Sequence, residues 1–127
     1  MKVSMLLGLP ALVAAAALAP RADDDHHLSK RCTVNAAYLD TWHEAGLQRR
    51  RTAFSAAGTI VELFCNFWKT ECGATGNVQC GYDDKLNPPS WRVDQSFVLG
   101  VQGDSEYWFC LGKARDRWIE ETGCDTG

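Results

Sequence analysis

The residues with the plainest chemistry in this chain are six cysteines: Cys32, Cys65, Cys72, Cys80, Cys110 and Cys124. An even set of thiols in a small exported domain is expected to close as three disulfides. Each bridge is worth roughly 2–5 kcal/mol, and a domain this small buries too little surface to do well without such staples. Spacing alone does not choose among the pairings that six cysteines allow. Zinc is the competing reading. The intervals between Cys65, Cys72 and Cys80 exceed a knuckle spacing, and His43 is the one histidine beyond residue 31, so no metal or cofactor is expected.

Acid–base chemistry has thinner material. His43 stands beside Glu44, but adjacent positions on one helix point in different directions, so the two would not work as a unit. Asp83-Asp84 and Asp104/Glu106 are carboxylate pairs in or beside expected loops, where aspartates ordinarily shape turns. If all six thiols pair, none is left as a nucleophile. No phosphate-binding loop, serine elbow, zinc-protease helix or dinucleotide fingerprint is present. The expectation is a protein without catalytic residues. A small secreted hydrolase or ribonuclease built on His43 is the enzymatic alternative.

Binding residues are easier to nominate. Five tryptophans are present, all after residue 31, and Trp91, entering a strand just after Pro88-Pro89, is the best candidate for an exposed stacking ring. Arg49, Arg50 and Arg51 form the one basic cluster, a candidate binding patch with Lys113, Arg115 and Arg117, although a solvated joint between helices is the plainer reading. The chain carries a formal net charge of −3, which argues against nucleic acid. Arg50-Arg51 is also a dibasic pair, so cleavage there would give two chains held by disulfide.

These groups sit within an evident layout. Residues 1–19 read as a secretory signal: Lys2, an apolar run from Met5, and small residues up to Ala19 that offer cleavage sites. The run is too short for a membrane anchor. Residues 20–31 are polar, contain Asp23-Asp24-Asp25-His26-His27, and end in Lys30-Arg31. Residues 32–127 then form a single cysteine-rich domain. A signal, an acidic pro-region ending in a Lys-Arg pair and a small six-cysteine domain resemble, in layout, the fungal small secreted cysteine-rich proteins of the effector type. The resemblance implies kexin-type processing after Arg31 and a monomer acting outside the cell or delivered into a host. Its partner would be a host or cell-wall protein or glycan, and its effect would be to perturb defence. A killer-toxin-like antimicrobial protein is the alternative that the dibasic processing also suits.

The elements that would position these residues read as α+β. Asn35 as N-cap, Tyr38, Trp42 and Ala45 at helical spacing, and Gly46 as a stop predict a first helix. Phe54, Ala57, Val61, Phe64, Cys65 and Trp68 predict a second from Thr52 to Glu71, with Gly58 and Thr59-Ile60-Val61 also fitting a strand. Val78, Cys80 and Tyr82 alternate, as do Trp91, Val93, Phe97, Leu99 and Val101. Gly103-Asp104 reads as a hairpin turn into a third strand, Ser105 to Leu111, and Lys113 to Thr122 as a short terminal helix. The rival for the last part is one long helix from Asp104 to Thr122. The expected architecture is two N-terminal helices, a three-stranded antiparallel meander and a C-terminal helix.

Overall fold

The computed structural model describes residues 32–73 and 76–127. The expected signal at 1–19 and the pro-region at 20–31, with Lys30-Arg31, lie outside them. In chain order the elements are β1 (Thr33–Glu44), β2 (Leu47–Ala57), α1 (Leu63–Cys72), β3 (Gln79–Asp83), β4 (Ser90–Phe97), α2 (Val101–Thr122) and β5 (Asp125–Thr126). One sheet has the order β3-β4-β2-β1-β5, antiparallel except for the short parallel β1–β5 pair. The domain is α+β, but the two expected N-terminal helices and the three-stranded meander are overturned.

The first helix is β1, and a bulge explains the misreading. From Thr33 to Tyr38 the strand alternates, with Val34 and Ala36 buried and Asn35 and Ala37 outward. Between Tyr38 and Asp40 the register slips by one residue, so one extra residue changes which side chains face which way. Tyr38 packs on Tyr107 of α2, while Trp42 lies under the Arg51 guanidinium on the opposite face. Their i, i+4 spacing imitates a helix, yet the two rings never share a face. Gly46 ends no helix. Ala45 and Gly46, at φ 54° and 79°, form a two-residue turn joining β1 to β2, where positive φ matches the twist of the strands.

The second expected helix exists only over Leu63–Cys72. Its first half, together with the arginine triplet, is β2, the central strand of the sheet. Strands at Gln79–Asp83 and Ser90–Phe97 agree with the alternation as far as Phe97, and Val93 and Phe97 are buried; Leu99 and Val101, expected on the same stripe, lie beyond the strand and are exposed. Gln95, which interrupts the apolar stripe, is also buried, and its Oε1 accepts a 2.7 Å hydrogen bond from the Trp68 indole N–H. A buried amide with a partner costs little, so the strand runs through it.

The expected third strand, Ser105 to Leu111, and the short helix after it are one 22-residue helix, α2. Gly103, Tyr107, Cys110, Leu111, Ala114 and Trp118 form its buried stripe at helical spacing. The three successive aromatics Tyr107-Trp108-Phe109 therefore diverge around the helix: Tyr107 is buried, whereas Trp108 and Phe109 are more than half exposed. Gly103 is inside the first turn and makes no hairpin. A Cβ there would overlap the Val98 carbonyl, so the glycine lets the helix start against the end of β4. Gly112, which also suggested a break, stays helical in open space.

Both helices cover the same face of the sheet. Phe54 and Phe64 rings lie 4.7 Å apart, Phe64 and Trp118 4.8 Å, and Phe97 and Tyr107 5.6 Å. Two disulfides are formed. Cys32–Cys124 joins the start of β1 to the chain just after α2, and Cys65–Cys80 joins α1 to β3. The other two cysteines, Cys72 and Cys110, are neighbours across the α1–α2 contact, where the third expected bridge would lie. Among the described residues no helix is long and apolar enough to cross a membrane.

Candidate functional site

The arginine triplet illustrates how strand geometry separates sequence neighbours, because alternate residues of β2 point to opposite faces. Arg49 is 4% exposed and donates to the carbonyls of Gly76 and Asn77 and to Ser96 Oγ, at 3.2, 2.6 and 3.0 Å. It fastens the segment before β3 onto β4. Arg50 points to the helix side. Its Nη2 donates to Asp104 Oδ1 at 2.6 Å, and its guanidinium lies 4.8 Å from the Tyr107 ring centroid. Arg51 points to the uncovered face and grips Asp94 with two bonds, at 2.8 and 2.9 Å. The triplet is a set of three structural fasteners, neither a joint nor a patch. Its dibasic pair is locked in a central strand with neighbours on both sides, a conformation closed to a processing protease.

The carboxylate candidates are similarly occupied. Asp83 accepts the Lys85 backbone N–H at 2.9 Å and lies 3.6 Å from Arg92, which together hold its carboxyl below the usual range. Asp104 accepts from Gln48 Nε2 and Arg50, and those bonds lower its pKa as well. Neither group is poised to give up a proton near neutral pH. Glu106 points elsewhere, into a concavity between α1, α2 and the end of β4. His43 is exposed near the hairpin end, opposite Gln48, and among the described residues its side chain has no hydrogen-bond or ion-pair partner. The geometry assembles no acid–base pair around it.

Trp91 is the nominated residue that the structure places in a concavity. It is half-buried, packed against Phe54 (6.1 Å) and edge-on to Tyr82 (5.7 Å). Tyr82 and Trp91 are directly opposite on β3 and β4, so the sheet register pairs them. Beside them is a groove of about 300 Å³ with Ala37 and Ala53 as small residues along it and Asn35 and Ser55 as polar ones. Tyr82, 56% exposed, was missed in the sequence. The available signal was an aromatic on each side of the Pro88-Pro89 loop, at the ends of two alternating segments. By register Tyr82 and Trp91 share the side of Phe54, whereas Asn35, Ala37, Ala53 and Ser55 belong to the uncovered face, so the groove lies where the two sides meet. Further along the uncovered face, Asp94 is 3% exposed between Arg51 and Arg92.

A second exposed apolar surface lies at the start of α2. Leu99, Val101, Trp108 and Phe109 are each more than half exposed, and Trp108 leans on Tyr38 with ring centroids 5.8 Å apart. Among the described residues no cluster of histidine, cysteine, aspartate and glutamate has the geometry to hold a metal. No family model, curated protein or solved structure matches the chain.

Proposed function

We propose that this is a secreted effector-type binding protein whose groove at Tyr82 and Trp91 takes a glycan of a cell wall or host surface. The observation that carries the reading is the groove's make-up: an aromatic pair fixed by strand register, small residues that leave room, and the polar Asn35 and Ser55. A sugar ring presents an apolar face that packs on an aromatic and hydroxyls that need hydrogen-bond partners. The formed disulfides suit an oxidising, extracellular setting. The arginines are spent on internal contacts, which leaves little for a nucleic-acid backbone.

The test is tryptophan fluorescence of the secreted protein titrated with chitin, β-glucan and xylan oligosaccharides, beside pull-down on insoluble wall polymers. Binding to one class is expected, with a spectral change from Trp91. Tyr82→Ala, which removes a mostly exposed ring, should weaken binding at least tenfold (about 1.4 kcal/mol) and leave the circular dichroism spectrum intact. Equal binding by that variant, or no binding to any glycan, sinks the reading.

A further inference from the structure

Two of the six cysteines have a different setting from the other four. Cys32–Cys124 ties the start of the sheet to the end of α2, where the Asp125 N–H also donates to the Cys32 carbonyl. Cys65–Cys80 ties α1 to the edge strand β3. Both therefore fasten helix to sheet. Cys72 closes α1 and Cys110 lies in the middle of α2, so a bond between them would link helix to helix. That contact is already held by the Phe64–Trp118 packing and by the 2.9 Å Arg117–Glu71 ion pair.

Their surroundings also differ. Both cysteines line an open concavity of about 380 Å³, along with Phe97, Phe109, Glu71 and Glu106. It is wide enough for a small disulfide and has an apolar wall. Each thiol acts on the other's titration, bringing the Cys110 pKa down and driving that of Cys72 up. Glu106 and Glu71, the charged groups facing the pair, act against the Cys110 thiolate without overturning that direction. The pair is thus asymmetric, with one sulfur set to attack and the other to follow.

We propose that Cys72 and Cys110 are a reversible dithiol–disulfide couple that exchanges with neutral or cationic low-molecular-weight disulfides entering the α1–α2 concavity. In the forward direction the Cys110 thiolate attacks one sulfur of the small disulfide R–S–S–R. The R–S–S–R bond breaks, a Cys110–S–S–R bond forms, and one thiolate leaves. Cys72, after losing its proton to solvent, attacks the Cys110 sulfur and expels the second thiolate. Two electrons pass from the protein to the small disulfide, which becomes two thiols. The reverse sequence reopens the bond. Glu106 at the wall, beside Glu71 whose charge Arg117 balances, disfavours anionic reagents, so cystamine should react faster than glutathione disulfide.

The experiment equilibrates the intact secreted protein with stepped cystamine/cysteamine ratios, quenches with acid, alkylates and maps the peptides by mass spectrometry. Cys72 and Cys110 should gain and lose label together and reversibly, while Cys32, Cys124, Cys65 and Cys80 stay joined and the circular dichroism spectrum holds. Cys72→Ser should trap a mixed disulfide on Cys110, and glutathione disulfide should react several-fold more slowly than cystamine at low salt. The proposal fails if the other four cysteines open at the same ratios, or if Cys72 and Cys110 never join. It also fails if glutathione disulfide matches cystamine. The wild-type exchange needs no variant, so a misfolded Cys72→Ser protein leaves the test intact.

Discussion

The two faces of the sheet are stabilised by different chemistry. On the covered face, Phe54, Val93 and Phe97 meet Phe64, Trp68, Tyr107 and Trp118 from the helices; Thr52 pairs with Tyr107 and Gln95 with Trp68, while the buried Trp118 indole N–H has no partner. On the uncovered face, alternate residues of the same strands supply Arg51, Arg92 and Asp94, with Trp42 and Asp83 around them. A strand places successive side chains on opposite faces, so one stretch of β2 serves both purposes residue by residue. The covered face owes its stability to area removed from water, whereas the open face owes it to a carboxylate that two guanidiniums hold almost dry. The first is non-directional and large, the second directional and smaller.

The largest effect should come from the covered face. Trp118, fully buried against Phe54 and Phe64, should cost about 3–5 kcal/mol when changed to alanine, as read from urea denaturation. A loss below about 1 kcal/mol would move the weight of stability elsewhere. On the open face, Asp94→Ala leaves Arg51 and Arg92 facing each other and should cost about 2 kcal/mol. Replacing the pair together, Arg51→Met with Asp94→Leu, should recover most of that loss, because no charge is then left unpartnered. If the double variant is as unstable as the single one, the open face is not an electrostatic device.

The covered face should also respond to alkali. Burial pushes the Tyr107 phenol up to about 12 from its ordinary 10, against the 2.7 Å bond with Thr52. The folded pKa lies above the unfolded one, so the contribution is complete below pH 10 and is lost as pH rises through about 12. Stability measured across that window should fall, and Tyr107→Phe should flatten the fall. The smallest effect belongs to the turn at the end of both faces. Ala45 sits at φ 54°, a conformation that asparagine or glycine adopts more easily. Ala45→Asn should raise stability by about 0.5–1 kcal/mol in thermal denaturation. No change would mean that the hairpin end contributes nothing to register.

Several parts of this arrangement are legible in the amino-acid sequence. β3 and β4 follow from plain alternation, and the second half of the expected second helix is α1. Trp91, expected to be exposed because it follows Pro88-Pro89, is instead half-buried against Phe54 at the wall of a groove. Its partner Tyr82 was not picked out, since only the β3–β4 register puts the two rings together. β1 was misread because its bulge converts a period of two into a spacing of four. β2 was misread because its three arginines look solvated until the carbonyls, Asp104 and Asp94 that receive them are in place. At α2, the deciding fact is that the helix buries every third or fourth residue, which three consecutive aromatics conceal.

The amino-acid sequence alone establishes an even number of cysteines in a small domain, a mixture of helical and strand periodicity, and alternating segments at 78–82 and 91–101, the second of which outruns its strand. Those properties depend on counts and on short-range periodicity, which the chain carries wherever it folds. The tertiary structure alone decided which cysteines pair, which face each arginine serves, and that Tyr82 and Trp91 frame one groove. Each of these is a contact between residues distant in sequence or on different elements, and strand register and the shared covered face select it. No local pattern encodes that selection.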